Sequence, residues 1–365
     1  MKRLRIGIIG LGRIAESHLA AYKEIDTVEV VAGAEINPER LHEITRRWGI
    51  RGYAHHDEML IKEDVDIVCI LTPPRVHREI IETVVARRID ILCEKPIAVT
   101  LEDAEGILSA CNRAGVKFYY GSSYRSLPAC IKAKEMIDEG LLGHIYLMLE
   151  TYVGGEGMEG WRDLGPHHYP PGGPGGGGMG LVDHGIHMAD MFRWFSGSEV
   201  TRVFGRGNYS GKPPATEYLT MIFKSGAVGQ LVYNEVTHPT NMPCEGIFSL
   251  GASWGVTGEL LPGGKWDPQP GSLHIHGEKG ALRIFHYANK LFFFGRDRQE
   301  QVPILDRPNP GHFGLQMEAF VNSIIHGTEP PVTGLDGLKA LQIILAAYES
   351  YARNSVVAIT DIAQK

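Results

Sequence analysis

The strongest constraint on what this chain can fold into lies at its start. The apolar run Leu4-Arg5-Ile6-Gly7-Ile8-Ile9 reads as a buried strand and passes without a spacer into Gly10-Leu11-Gly12-Arg13-Ile14-Ala15, the opening of a helix that runs to about Tyr22. Gly10 suits a tight strand-to-helix turn, Gly12 lets the backbone approach a pyrophosphate, and Ala15 is small enough for close packing of helix on strand. The helix N-terminus, with Gly12, Arg13 and Ile14, then favours an anion. Glycine-rich turns also follow strands without any ligand, so the reading as a dinucleotide site depends on what comes next.

The second strand, Val28 to Ala34, ends at Glu35, twenty residues past Ala15. A carboxylate at that spacing accepts hydrogen bonds from both ribose hydroxyls and repels a 2′-phosphate, which predicts NAD rather than NADP. A loop acid ahead of the helix signature Asn37-Pro38-Glu39 is the plain alternative, and Arg40 is a cation that swings back to a phosphate if free. Alternation continues with a helix at 38–48, a short strand at 51–54, the run Asp66 to Leu71 ending at Thr72-Pro73-Pro74, a helix at 75–87, a strand closing on Cys93-Glu94-Lys95-Pro96, a helix at 101–114 and a strand at 116–120. Strands alternating with helices of this length predict a doubly wound parallel sheet over residues 1–123. Its carboxyl edge is where ligands bind, so Thr72 and Pro73 are expected along the dinucleotide path and Lys95 is aimed off the sheet end. A surface turn with a solvated Glu94–Lys95 pair explains that tripeptide equally well when it is taken alone, and His77 reads as a satisfied helix histidine.

Within 365 residues, 43% hydrophobic and 22% charged, there is material for two domains. A formal charge of -7 and the lack of any long Lys/Arg run exclude a nucleic-acid footprint. No apolar stretch reaches membrane-spanning length, and the N-terminal apolar run is too short for a secretory core. The five cysteines form no CxxC pair and read as reduced core residues, so a cytoplasmic location is expected. Over residues 124–365 the texture changes to a helix at 128–140, long strand-like segments at 144–153, 200–209, 217–224, 227–236 and 273–294, and late helices at 312–326 and 335–353. Short glycine turns between such segments predict an α+β domain with a large, mostly antiparallel open sheet. An exposed face of that sheet predicts a homodimer or homotetramer built through it.

A Gly/Pro-rich stretch with Trp161-Arg162 inside it leads into Gly180-Leu181-Val182-Asp183-His184-Gly185-Ile186-His187-Met188-Ala189-Asp190. If this segment is helical, Asp183 and His187 share a face, with Asp190 further along it, and a carboxylate orients an imidazole as a general base requires. A first-turn acid and a core histidine are the plain alternative. Asp183 with His187 also has the spacing of a helical metal pair, but no metal is expected, because the dinucleotide signature already accounts for the two residues.

In this order, Gly10-x-Gly12-x-x-Ala15, Thr72-Pro73-Pro74 with His77, Glu94-Lys95-Pro96, Trp161-Arg162, and Gly176-Gly177-Gly178 running into Asp183-x-Gly185-x-His187-x-x-Asp190, the chain resembles the Gfo/Idh/MocA family of NAD(P)-dependent oxidoreductases over nearly its whole length. The resemblance implies hydride transfer between nicotinamide and a secondary alcohol or ketone of a sugar, inositol, related polyol or glycoside. It implies Lys95, Asp183 and His187 as the catalytic trio. Tyr124 and Arg125 are implied as pocket-wall residues, with His184 beside them toward substrate. On the cofactor side it implies Gly10, Gly12, Arg13, Ile14, Glu35, Thr72, Pro73, His77, Glu94, Lys95, Trp161 and Arg162. Whether Lys95 or His187 takes the proton stays open. Two other activities share the same residues: a redox-neutral glycosidase or lyase that retains NAD and works through a transient 3-keto sugar, and a dinucleotide-sensing regulator without catalysis. The segment 164–175, with its His-His-Tyr-Pro-Pro core, is longer than the family's usual approach to the Gly-Gly-Gly run, so substrate size does not carry over. Residues 164–178 are expected to form a flap over the sugar site.

Overall fold

The computed structural model describes residues 3–153, 180–207, 216–234, 272–286, 288–305 and 311–362. Trp161, Arg162, Cys244 and the expected flap at 164–178 lie outside the described residues. In chain order the first elements are β1 (Leu4–Ile9), α1 (Arg13–Tyr22), β2 (Val28–Ala34), α2 (Pro38–Trp48), β3 (Arg51–Tyr53), α3 (His56–Lys62), β4 (Ile67–Ile70), α4 (His77–Val85), β5 (Asp90–Glu94), α5 (Leu101–Ala114) and β6 (Phe118–Gly121). There follow α6 (Pro128–Asp138), β7 (Ile145–Val153), α7 (Ile186–Ser196), β8 (Val200–Gly207), β9 (Thr216–Phe223), β10 (Val228–Asn234), β11 (Ser272–Gly277), β12 (Gly280–Phe285), β13 (Lys290–Gly295) and β14 (Gln299–Gln301). The chain closes with α8 (Gly311–His326), α9 (Gly334–Arg353) and β15 (Val357–Ala358). These elements divide between two compact units, one of residues 1–123 with 310–338 and the other of residues 124–309 with 339–365.

The first unit is a Rossmann sheet of six parallel strands in the order β3-β2-β1-β4-β5-β6. Its central strands read as unbroken apolar runs because helices cover both faces; Ile67–Ile70 is buried at every position. Strand order reverses between β1 and β4, the point at which such a sheet opens a crevice at its carboxyl edge. Since all six strands run the same way, the turns after β1, β2, β4 and β5 leave by that one edge. They carry Gly10, Glu35, Thr72 and Lys95 respectively. Helix boundaries follow local chemistry: Asn37 caps α2 by accepting from the Glu39 and Arg40 amides, and Gly49 ends it at φ 68°.

The second unit holds a nine-stranded sheet, β14-β13-β12-β11-β7-β10-β9-β8-β15, antiparallel except for the pair β7 and β10. Alternate residues such as Met148, Leu219, Met221, Leu231, Ile275 and Ile284 are fully buried on one face. The other face carries the row Phe294, Ala281, His276, Leu147, Val228 and Ile222, aligned by strand register. Phe294 and Ile222 on that row are exposed.

Three local expectations change. The segment between β3 and β4 contains α3, unmarked in the sequence because it is one short stretch without a side-chain cap and buries only Met59 and Leu60. The helix expected at 75–87 is a 3₁₀ turn at Pro74–Val76 followed by α4, the break falling at Val76, whose φ of -104° and ψ of 0° lie outside the α-helical range. Asp183 does not share an α-helix with His187: Gly180–Gly185 is a π-helical turn, and α7 starts at Ile186. That wide turn begins against β9 and β10, where Leu181 donates its amide to Glu217 Oε2 at 3.0 Å. A side chain at Gly180 would meet Tyr233 at 2.4 Å and Glu217 at 2.5 Å, so only glycine admits the approach.

Candidate active site

In the first unit the glycine turn is built for close approach. Gly10 has φ 90°, and a Cβ there would lie 2.9 Å from the Leu71 carbonyl carbon and oxygen. A Cβ on Gly12 would meet nothing within 4 Å, and no side chain caps α1 at that residue. The start of α1, with Arg13 exposed and Ile14 half-buried behind it, therefore faces open space, while Ala15 is fully buried against the sheet. Glu35 points back to the same turn: its Oε2 accepts the Leu11 amide at 2.9 Å and its Oε1 the Asn37 amide at 2.9 Å. Arg40 is held across that turn, donating to Leu11 O at 2.7 Å, Gly12 O at 3.2 Å, Glu16 at 2.7 Å and Glu43 at 2.9 Å. Thr72 Oγ1 is buried without a hydrogen-bond partner, and Pro73 beside it is exposed. An uncapped helix start, an open glycine face, a carboxylate at the end of β2 and an orphaned hydroxyl after β4 together suit a dinucleotide.

His77 is fully buried and ties two of these turns together. Burial pushes its imidazole below the ordinary range, so it carries one proton. Its Nε2 lies 2.8 Å from Thr72 O and its Nδ1 3.1 Å from Ile97 O. The shorter contact takes the N–H, and Nδ1 then accepts the Cys93 thiol at 3.3 Å, a thiol that burial raises well above its usual range. The Thr72-Pro73 turn and Cys93 near the end of β5 are thus tied to one ring. Lys95 itself is half-buried, and its amide donates to Glu94 Oε2 at 3.1 Å. Glu94 is 6% exposed, and its Oε1 lies 3.0 Å from Nε2 of His18, a residue that no motif in the sequence singles out.

In the second unit two consecutive residues lock α7. The Tyr124 ring stacks on His187, with centroids 4.0 Å apart and planes within 4°. Next to it, Arg125 grips Asp190 with both guanidinium arms, Nε to Oδ2 at 2.8 Å and the second nitrogen to Oδ1. Since His187 and Asp190 are three apart on one helix, the Tyr124-Arg125 dipeptide fixes both the ring and the helix under it. His187 is 3% exposed, whereas Asp183 in the preceding π turn is half-buried. His184 is also buried, its Nε2 2.7 Å from the Glu150 carboxylate. His286 is 3.9 Å from the other oxygen of Glu150, and burial together with the nearby His184 drives its imidazole well below the normal range. Among the described residues no three His, Cys, Asp or Glu side chains are grouped as a metal site.

The Arg125–Asp190 pair has 8% and 0% exposed side chains, so removing one partner strands a buried charge. Arg193 remains 3.8 Å from Asp190 and offsets part of that loss. Arg125→Met is therefore expected to lower folding stability by about 3 kcal/mol, the lower end for a broken buried pair, read as a fall in the urea midpoint. An unchanged midpoint overturns the assignment.

The family description "Oxidoreductase family, NAD-binding Rossmann fold" matches residues 4–122, and "Oxidoreductase family, C-terminal alpha/beta domain" matches residues 134–359. The chain is 34% identical to D-apiose dehydrogenase of Paraburkholderia graminis, across 99% of this chain and 91% of that one. It is 25% identical to myo-inositol 2-dehydrogenase of Thermotoga maritima, across 98% and 99%. Among solved structures, scyllo-inositol dehydrogenase from Lactobacillus casei with bound NAD(H) and scyllo-inositol superimposes with a TM-score of 0.75 over 98% of this chain and 100% of that one, at 24% identity.

Proposed function

Because the chain belongs to the Gfo/Idh/MocA oxidoreductase family, we propose that it is an NAD-dependent dehydrogenase acting on a secondary alcohol of a sugar, inositol or related polyol, with Lys95, Asp183 and His187 as its catalytic side chains. The observation that carries this reading is the arrangement at the carboxyl edge of the parallel sheet. There the open glycine turn, the Glu35 carboxylate and Lys95 all leave the same edge. Gly10, Gly12, Arg13, Ile14, Glu35, Thr72 and Pro73 would hold NAD, which when bound accepts a hydride from the alcohol carbon or returns it to the ketone. Lys95 donates a hydrogen bond to the reacting oxygen and stabilises negative charge as it develops there. His187 takes the hydroxyl proton on an imidazole nitrogen, and Asp183 orients it. Tyr124 keeps the His187 ring in one plane by stacking on it.

The test is an NAD-coupled absorbance screen across sugars, inositols and glycosides. Substrate-dependent NADH formation supports the dehydrogenase. Turnover of a glycoside with NAD that survives purification and gives no net NADH identifies the redox-neutral reaction instead, and binding of NAD without turnover of any substrate favours the regulator.

Cofactor choice follows from Glu35. Its carboxylate sits at the glycine turn, Ile36 next to it is 83% exposed and carries no charge, and Arg40 is engaged with four partners. NAD is expected to bind at least about tenfold tighter than NADP, roughly 1.4 kcal/mol. Equal dissociation constants by calorimetry overturn this.

We assign the outer face of the nine-stranded sheet to a second copy of the chain, giving a homodimer or homotetramer. Leu147, Leu149, Val228 and Phe292 lie half-buried on that face between the exposed Ile222 and Phe294, an apolar stripe of the kind that association covers. Leu149→Lys is expected to shift the sedimenting species to a monomer, and an unchanged oligomer argues against this face.

A further inference from the structure

His18 occupies a place in the first unit that its role as a helix residue does not require. It lies on the buried stripe of α1 with Ala15, Leu19 and Tyr22, at 0% exposure, where an apolar residue packs at no polar cost. Instead it is the middle of a chain of hydrogen bonds. Its Nδ1 is 2.7 Å from the Tyr22 hydroxyl, which is 3.6 Å from Cys69 Sγ on β4, and its Nε2 is 3.0 Å from Glu94 Oε1 at the end of β5.

The protons in this chain have an order. Burial raises Cys69 to about 12 and holds Tyr22 well above the ordinary phenol range, so thiol and phenol both keep their hydrogens. With a neutral imidazole, Cys69 donates to the Tyr22 oxygen, Tyr22 donates to His18 Nδ1, and His18 Nε2 donates to the Glu94 carboxylate. Every donor and acceptor is used once. The ring is packed against Phe313, with centroids 4.3 Å apart, and His312 on the same helix is kept uncharged by burial, which pushes its imidazole down to about 3. The remaining oxygen of Glu94 accepts the Lys95 amide.

We propose that His18 is a positioning residue for Lys95, acting through Glu94. The carboxylate is a two-ended clamp, with an imidazole fixed to α1 on one oxygen and the main chain of the motif lysine on the other. Without the imidazole, a buried carboxylate keeps one fewer donor and either turns away, which releases the Lys95 amide, or takes up a proton, which weakens its bond to that amide. The clamp also links two stations. The N-terminus of α1 begins the glycine turn at Gly12, and His18 lies six residues further along the same rigid helix, about 9 Å at 1.5 Å per residue. The distance between the turn that faces a pyrophosphate and the lysine that meets the reacting oxygen is thereby set by one helix. A displacement on the order of 1 Å at such a group costs about 10²-fold in rate.

The inference rests on the reading of Lys95 as the group that meets the reacting oxygen, so the experiment compares His18→Leu, His18→Gln and Tyr22→Phe with Lys95→Met. His18→Leu is expected to lower kcat by about 10- to 100-fold with KM and the NAD dissociation constant within about threefold. In the apoenzyme, without substrate or cofactor, it is expected to speed amide exchange in the peptide over residues 93–97 at least about tenfold. The amide nitrogen of Gln reaches the position of Nε2 and donates to Glu94, so His18→Gln is expected to restore kcat to within about fivefold of wild type. A folded His18→Leu enzyme with wild-type kcat and unchanged exchange overturns the proposal, as does His18→Gln behaving like His18→Leu. Should His18→Leu not fold, Tyr22→Phe decides: it removes the hydroxyl that donates to Nδ1 and accepts from Cys69, and is expected to lower kcat about three- to tenfold at constant KM, wild-type kcat counting against the clamp. Lys95→Met at the wild-type rate defeats the lysine reading, whereas loss of activity in Lys95→Met alone defeats only the role of His18.

Discussion

Replacing Lys95 by Met is expected to lower kcat by about 10²–10³ while leaving NAD affinity within about threefold. Methionine matches the length of the lysine stem and packs as an apolar chain, so the substitution removes the ammonium and little else. The main chain at this position is held by the Glu94 carboxylate, a contact that does not involve the lysine side chain. Loss of rate then reports the lost hydrogen bond to an oxygen whose charge grows toward the transition state, an interaction worth more there than in the ground state. NAD affinity stays because the glycine turn, the start of α1 and Glu35 are elsewhere on the same edge. Single-turnover hydride transfer, followed with NAD binding measured in parallel, separates the outcomes. Transfer at the wild-type rate removes Lys95 from the chemistry, and loss of NAD binding moves it to the cofactor.

The parallel sheet was legible because burial on both faces writes each strand as a continuous apolar run, and because glycine, proline and an acid punctuate the ends from which ligands are bound. Gly10, Glu35, Thr72 and Lys95 stand out from their neighbours for that reason, and topology alone brings them to one edge. What the sequence left out are pairings between distant buried polar groups. His18 and Glu94 are 76 positions apart, and His184 and Glu150 are 34 apart, so no local pattern joins them. One signal was present: Ala15, His18, Leu19 and Tyr22 follow the spacing of a buried helical stripe, and a histidine in such a stripe needs a partner. Asp183 shows the opposite limit. Its spacing from His187 suggested one α-helix, but the approach of Gly180 to Tyr233 and Glu217 imposes a π turn, a tertiary constraint that helical periodicity does not encode.

The second large effect belongs to His187, and the substitution that isolates it is His187→Phe. The ring of His187 lies flat on Tyr124, so an alanine would leave a void and confuse loss of packing with loss of a base. Phenylalanine retains a stacked ring on a helix still anchored by Arg125 and Asp190, while offering no nitrogen to accept a proton. With His187 as the proton acceptor, kcat for alcohol oxidation is expected to fall by about 10²–10⁴, the usual worth of a positioned general base. The pH dependence gives the sign. A base must be unprotonated to act, so wild-type oxidation declines as pH drops through the titration of the imidazole, and ketone reduction, which needs the protonated form, declines as pH rises through it. In His187→Phe that limb is expected to flatten in both directions. Asp183→Asn keeps a side chain of the same shape without the charge, and is expected to give a smaller loss of kcat with the limb retained. A His187→Phe enzyme that keeps the near-neutral limb unchanged assigns the proton to another group, and Lys95 is then the residue to examine by the same pH series.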